Sequence, residues 1–141
     1  KDLLPGVIEN LTGNVLFHGI QVKPGMPTML SVVKGTPVLS LSGNPFAVEA
    51  LFEVLAGGYL TDMEASRYLQ KNQMKVLKQT FVKTGKMKRI VKGRCDESGV
   101  YLPQIQKNGQ LKNGIGSNCL VIFPEGERTY AEGEGVRVIR I

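Results

Sequence analysis

The sequence predicts two structural units of different class, an α/β unit over residues 1–70 and an all-β unit over residues 71–141. In the first unit, two segments with helical spacing of apolar residues flank short strand-like runs. After residue 69 no segment has a convincing helical pattern, and strand-like runs alternate with Gly, Asn and Asp turns. Charge divides at the same place. Residues 1–70 carry four Lys or Arg and six Asp or Glu (net −2), whereas residues 71–141 carry fourteen and six (net +8). This asymmetry predicts an anionic partner at the second unit.

The first unit begins with a predicted helix over residues 3–11, because apolar residues recur there at helical spacing. A strand is predicted over residues 15–22, ended by a proline. Two short apolar runs, residues 29–33 and 36–42, follow, and they meet at Lys34–Gly35 as a hairpin would.

A second helix is predicted to begin at Pro45, with Asn44 as its N-cap. Its apolar face comprises Phe46, Ala47, Ala50, Leu51, Val54 and Leu55. A glycine-bearing loop before a helix is a ready anion site, because free N–H groups and the helix dipole point at it. A further short helix is predicted over residues 62–69, where Thr61 and Glu64 form a capping box.

The second unit is predicted to be a small β-barrel or sandwich. Its strand-like runs cover residues 73–83, 87–94, 100–102, 119–123 and 136–141. The Gly-, Asn- and Lys-rich stretch over residues 106–118 is predicted to be a surface loop suited to ligand contacts.

Composition excludes several function classes. A chain of 141 residues suffices for one ordinary domain or two small ones, and no apolar run is long enough for a transmembrane helix. Cys95 and Cys119 lack neighbours at metal spacing, so reduced, buried thiols are favoured over a disulfide or zinc site. The single histidine, His18, is predicted to be structural, which leaves no nucleophile-and-base set for a hydrolase. The phenylalanines are not interleaved with basic residues, which disfavours nucleic-acid binding.

Two loops carry a family resemblance. The segment KPGMP (residues 23–27), followed by LSGNP (residues 41–45) and FAVEALFEVL, resembles the KPGKP and GLPGNPVSA motifs of the molybdopterin molybdenumtransferases, the MoeA family that includes the gephyrin E domain. FHGIQVKPG, NCLVIFPEG and AEGEGVRVIRI follow the family's order. The resemblance covers nearly the whole chain but only the C-terminal part of a family member, so we expect a piece of a longer protein. It implies the C-terminal half of a MogA/MoeA-like three-layer α/β domain plus a small β-barrel domain.

The resemblance also implies an activity, the insertion of molybdate into adenylylated molybdopterin with release of AMP. It implies a requirement for Mg²⁺, a homodimer of the full-length protein and a cytoplasmic location. Matching the motifs residue by residue places Lys23 and Ser42 at catalytic positions. The positions implied to contact substrate are Pro24, Gly25, Pro27, Gly43, Asn44 and Pro45. Asp2 resembles the last Asp of the family's GDxD segment and is the candidate Mg²⁺ ligand.

In the second unit, residues 84–92 resemble the family's GRxxFxR strand with one extra residue. Lys86 and Lys92 then fall at its two arginines and are predicted to contact the substrate as anion-binding cations. Lysine keeps the charge but loses the planar fork that binds an oxyanion through two donors. The cluster Lys86, Lys88, Arg89, Lys92 and Arg94 is denser than solubility requires.

The two Arg-to-Lys changes and two further departures support an alternative function. Met26 stands at the second Lys of KPGKP, and Ala47 replaces a serine. Ser42 stands at the first Pro of PGNP, where its hydroxyl could instead hydrogen-bond an oxyanion. A thioether cannot replace a cation. The alternative is a degenerate, non-catalytic homologue or scaffold that binds a pterin, a nucleotide or a protein. Nucleic-acid binding through the basic unit ranks third.

Overall fold

The structure, a computed structural model, describes residues 3–56, 71–103 and 116–141. These ranges contain helices α1 (Leu4–Asn10) and α2 (Pro45–Leu51), and α2 continues as a π-helical turn (Phe52–Ala56). The strands are β1 (Asn14–His18), β2 (Val22–Lys23), β3 (Met29–Val33), β4 (Thr36–Ser40), β5 (Asn72–Val76), β6 (Phe81–Lys83), β7 (Lys88–Cys95), β8 (Val100–Tyr101), β9 (Cys119–Phe123), β10 (Arg128–Tyr130) and β11 (Gly135–Arg140). The predicted helix over residues 62–69 and most of the predicted loop over residues 106–118 lie outside the described residues.

A small antiparallel sheet with the order β1-β3-β4 forms the first part of the chain. The predicted hairpin between β3 and β4 is confirmed. Its two turn residues, Lys34 and Gly35, have φ values of 49° and 80°, the left-handed pair that matches the twist of antiparallel strands. The predicted first helix is also confirmed as α1, and its residue Ile8 is buried.

The predicted strand over residues 15–22 is divided into two strands that belong to different sheets. Gly19 has a φ of 91°, and its N–H donates to the Thr28 carbonyl at 2.8 Å. The Ile20 N–H donates to the Met26 carbonyl at 2.9 Å. These bonds turn the chain out of the small sheet, so β2 pairs in parallel with β7 of the larger sheet. Residues from both predicted units therefore share one sheet.

The larger sheet has six strands in the order β2-β7-β9-β11-β5, with β8 also paired to β7. β6 and β10 form a separate two-stranded ribbon. The prediction of a closed small barrel is not confirmed, because no sheet closes within the described residues. The physical reason lies in the segment predicted as one strand over residues 73–83. It breaks after Val76, so β5 stays at the sheet edge while β6 pairs elsewhere.

The larger sheet buries side chains on both faces. On one face, Val91, Val121 and Val138 join a core that includes Leu77, Val100, Phe123 and Tyr130. On the other face, Ile90, Leu120 and Ile139 contact the helix residues Ala50 and Leu51. This alternation along each strand is the period of two expected for a sheet covered on both sides. It places α2, and the loop before it, directly on the sheet. No helix within the described ranges is long and apolar enough to span a membrane.

Candidate functional site

The Lys23–Pro27 loop rests on α2 through a glycine that can carry no side chain. Gly25 has a φ of 108°, and a Cβ built there would lie 2.1 Å from Leu51 Cδ1 and 3.7 Å from Ala47 Cβ. On the other side, the buried Thr28 hydroxyl donates to the Gly25 carbonyl at 2.7 Å. The absence of a side chain at Gly25 thus lets the backbone of this loop lie close to α2.

The Ser42–Pro45 loop forms the cap of α2, as predicted. Asn44 Oδ1 accepts hydrogen bonds from the N–H groups of Phe46 at 3.0 Å and Ala47 at 3.3 Å. Ser42 Oγ accepts one from the Asn44 N–H at 3.4 Å. Pro45 has no N–H. The cap thus occupies the helix N–H groups that were predicted to bind an anion. The donors of this loop that the cap does not use include the Ser42 hydroxyl hydrogen and the Gly43 N–H.

Lys23 lies beside an arginine from a distant part of the sequence. In the parallel β2–β7 pair, Lys23 is in register with Arg89, and Val22 with Lys88. Paired residues on neighbouring strands project from the same face, so both side chains leave the sheet together. Lys23 is exposed and Arg89 is half-buried. Within the described residues, no carboxylate lies within 4.0 Å of either cation.

Lys92, in contrast, already has a carboxylate partner. Its Nζ lies 2.6 Å from Glu49 Oε2 on α2 and 5.5 Å from the centre of the Phe46 ring. Lys92 shares a sheet face with Ile90, which packs against α2. The Lys92 cation thus helps to hold α2 on the sheet, and an anion would have to compete with Glu49 for it.

The candidate residues therefore divide between two places. Gly25, Ser42, Asn44 and Pro45 surround α2, and Lys92 contacts the same helix from the sheet. Lys23 projects from the face that carries Arg89 and Val91, opposite the face that α2 covers. Lys86, which is exposed, precedes β7, and its carbonyl accepts the Gly126 N–H at 2.8 Å. Pro24 and Pro27 lie within the loop between β2 and β3.

One lysine that sequence reasoning missed is buried. Lys83 is 1% exposed, and its Nζ donates to the carbonyls of Gly85, at 2.8 Å, and Gly126. The Gly85 N–H donates to Glu127 Oε1 at 3.0 Å. We call these bonds the Lys83 clasp; they join the loop before β7 to the loop before β10. No sequence signal distinguishes Lys83 from the exposed lysines of the same unit.

The two cysteines are buried, as predicted. Burial, reinforced by the neighbouring Cys95 thiol, raises the pKa of Cys119 to about 12. A thiol that stays protonated at neutral pH is a poor nucleophile, so Cys119 is a core residue here.

The described residues do not supply a metal site. Among them there is no group of three His, Cys, Asp or Glu side chains that could hold an ion. The candidate ligand Asp2 lies outside the described ranges. The described residues therefore do not form an Mg²⁺ site by themselves.

Comparison with known proteins identifies the relatives of this chain. No family model matches it. It is 26% identical to a molybdopterin molybdenumtransferase of Staphylococcus aureus (strain COL) over 143 residues, which cover 98% of this chain and 34% of that protein. It is 27% identical to the molybdopterin molybdenumtransferase of Bacillus subtilis (strain 168), with 99% and 34% covered.

The solved structures that resemble this chain are also proteins of molybdenum cofactor biosynthesis. The crystal structure of the molybdopterin biosynthesis MoeA protein from Pyrococcus horikoshii superimposes with a TM-score of 0.76 at 29% identity, covering 99% of this chain and 34% of that one. The chain corresponds to a C-terminal part of the MoeA proteins. A molybdenum cofactor biosynthesis protein from Pyrococcus furiosus matches with a TM-score of 0.66 at 23% identity, covering 91% and 45%, which supports the MoeA fold alone. The chain spans about a third of the length of the MoeA relatives that it matches.

Proposed function

We propose that this chain is part of a transferase of molybdenum cofactor synthesis, which inserts molybdate into adenylylated molybdopterin and releases AMP. The names of its relatives support molybdopterin and molybdenum chemistry in general. The observation that carries the proposal for this chain is the close approach of the Gly25 backbone to Leu51, where a Cβ would lie 2.1 Å from Leu51 Cδ1. This approach joins the Lys23–Pro27 loop to the helix that the Ser42–Pro45 loop caps, so the two motif loops are taken as one unit.

The residues of this unit would act by position and charge. Lys23 would hold the oxyanion as a compact point charge, and the Ser42 hydroxyl would donate a hydrogen bond to an oxygen of the bound substrate. Gly43, Asn44 and the prolines Pro24, Pro27 and Pro45 would set the shape of the loops around the pterin. Lys86 is proposed as a further substrate contact, and Lys92 as one that would exchange Glu49 for the substrate. Donors fixed before the reaction need no reorganisation as charge develops, which is how electrostatic catalysis lowers a barrier.

Three further features are part of the proposal for the full-length protein. They are a requirement for Mg²⁺, to which no described residue is assigned, a homodimer, and a cytoplasmic location. We also propose that residues 1–70 belong to a three-layer α/β domain of the MogA/MoeA type. The isolated 141 residues are expected to be inactive, because the relatives they match are about three times as long.

The test is AMP release by the full-length protein with adenylylated molybdopterin, Mg²⁺ and molybdate. We expect molybdate-dependent release that falls at least about 100-fold in Lys23→Ala, because a charged contact to the substrate is lost. The control is Lys34→Asn, which removes an exposed lysine from a turn whose positive φ Asn tolerates. The proposal would be refuted if AMP release did not depend on molybdate, or if Lys23→Ala and Lys34→Asn lost the same fraction of AMP release.

The second candidate is a homologue that binds the pterin or nucleotide without turnover. Two observations favour it beyond the sequence departures. Lys92 is neutralised by Glu49, and Ala47, which has no hydroxyl, is fully buried. In the same assay it would bind adenylylated molybdopterin and release no AMP with or without molybdate.

A further inference from the structure

The basic residues of β7 differ in whether a carboxylate lies within ion-pair distance. Lys88 lies 3.9 Å from Glu125, and Lys92 lies 2.6 Å from Glu49. Arg89 lies between them on the opposite face, beside Lys23, and has no carboxylate at ion-pair distance within the described residues. The basic cluster of this strand therefore contains one cation that is both uncompensated and next to the Lys23–Pro27 loop.

We propose that Arg89 and Lys23 together form a binding site for a tetrahedral oxyanion, with Arg89 as a binding residue that the family motifs do not assign. Because Lys23 is taken as an oxyanion ligand, this proposal deepens the proposed function and rests on it. Neighbouring strands lie about 4.8 Å apart, so two cations in register on one face repel each other unless an anion lies between them. An arginine fork and a lysine ammonium are complementary ligands for such an anion.

The surroundings of Arg89 strengthen its interaction with an anion. On one side it is in register with Phe123, which is fully buried and stacks on Phe81 with ring centres 4.5 Å apart. On the other side it is in register with Lys23 at the sheet edge. Arg89, a half-buried residue, therefore has a buried apolar neighbour on one side, where the dielectric is low and charge interactions are stronger than in water.

Arg89 also lies next to the Lys23–Pro27 loop, in which this chain lacks the second lysine of the family motif. The family motif has a second lysine where this chain has Met26, and Met26 is 48% exposed. Register with β2 brings the Arg89 charge next to the same loop from a distant strand. Arg89 would thus supply the second positive charge that Met26 lacks.

The test is calorimetric titration of the 141-residue chain at low salt with sodium molybdate, inorganic phosphate or AMP, in separate experiments. Molybdate binding would indicate the free metal oxyanion as the ligand, whereas binding of phosphate or AMP without molybdate would indicate a substrate phosphate. We expect Arg89→Gln and Lys23→Gln each to weaken the bound oxyanion at least about 10-fold. Arg89→Lys should lose about 3-fold, since it keeps the charge but not the fork.

The matched control is Arg94→Gln, which removes an exposed arginine from the same strand on the other face. We expect its affinity to stay within about 2-fold of the unchanged chain, as for a distant surface charge. The urea midpoint of Arg89→Gln should match that of the unchanged chain, because no carboxylate partner among the described residues is lost.

Three outcomes would overturn the inference. They are equal weakening by Arg94→Gln and Arg89→Gln, unchanged binding by Arg89→Gln while Lys23→Gln loses it, and no oxyanion binding by the unchanged chain. The proposed function can fail separately. If the Arg89-dependent site binds an oxyanion but the full-length protein releases no AMP, the inference stands and the transferase proposal falls.

Discussion

The cations of this chain fall into two regions with opposite relations to the fold. At the interface of α2 with the sheet and in the Lys83 clasp, Lys92 and Lys83 have partners inside the protein. At the β2–β7 edge, Lys23 and Arg89 have no carboxylate within ion-pair distance among the described residues. The difference teaches that partners, not residue type, decide whether a cation stabilises the fold or is available to a ligand. Substitutions in the first region should cost stability, and those in the second should cost binding.

The largest expected effect is at Gly25, which joins the two regions. Gly25→Ala should lower the free energy of unfolding by about 3 kcal/mol, because the new Cβ collides with Leu51 and the φ of 108° is strained. Gly35→Ala is the control, since its φ of 80° is also positive but nothing lies within 4 Å; strain alone should cost about 1 kcal/mol. Urea unfolding measures both. Equal losses would show that Leu51 moves aside and that the loop is not fixed on α2.

A smaller loss of stability is expected for the Lys83 clasp. Lys83→Met should destabilise the fold by about 2 kcal/mol, because the carbonyls of Gly85 and Gly126 lose the charged donor of a buried lysine. Lys88→Met, which removes an exposed lysine 3.9 Å from Glu125, should change stability by less than about 0.5 kcal/mol. Urea unfolding of the two variants side by side measures the difference. If Lys83→Met leaves the free energy of unfolding unchanged, a buried cation with two carbonyl partners is dispensable, and the contrast between the two regions is wrong.

The smallest effect is expected for the Lys92–Glu49 pair, whose side chains are 19% and 43% exposed. A double-mutant cycle with Lys92→Met and Glu49→Gln should give a coupling energy of about 0.5–1 kcal/mol that shrinks with added salt. A cycle of Arg89→Gln with Glu49→Gln serves as the reference and should give no coupling. Coupling of Arg89 to Glu49 as strong as that of Lys92 would remove the distinction between the two regions.

Local features of the fold could be predicted from the sequence. Lys34–Gly35 has the residues of a left-handed turn, and Asn44–Pro45 has those of a helix start, so the hairpin and the capped helix were both predicted correctly. β9 was predicted over residues 119–123 because its apolar run is continuous. β10 was missed, since Arg128–Tyr130 is short and largely polar. These signals lie within a few neighbouring residues, which is the range over which a pattern can be read.

Pairing between distant segments could not be predicted in this way. Nothing in Val22–Lys23 indicates that it pairs with β7, and the adjacency of Lys23 and Arg89 follows only from that register. The predicted barrel is not confirmed within the described residues for the same reason, because closure depends on which strand edges meet. For the site, the motif residues around α2 were indicated by the family resemblance, whereas the partners that decide availability, Glu49 for Lys92 and the carbonyls around Lys83, come from other elements.

The parallel pairing of β2 with β7 has a consequence for dividing the chain. Residues 88 and 89 of β7 have β2 as their neighbour on one side, and β8 pairs only further along, at Arg94 and Cys95. A cut near residue 70 would remove β2 and leave the backbone N–H and C=O groups of this corner bare. Bare strand edges recruit strands from other molecules. The second unit prepared alone would therefore tend to self-associate through this corner, and adding back a peptide that spans β2 should suppress it.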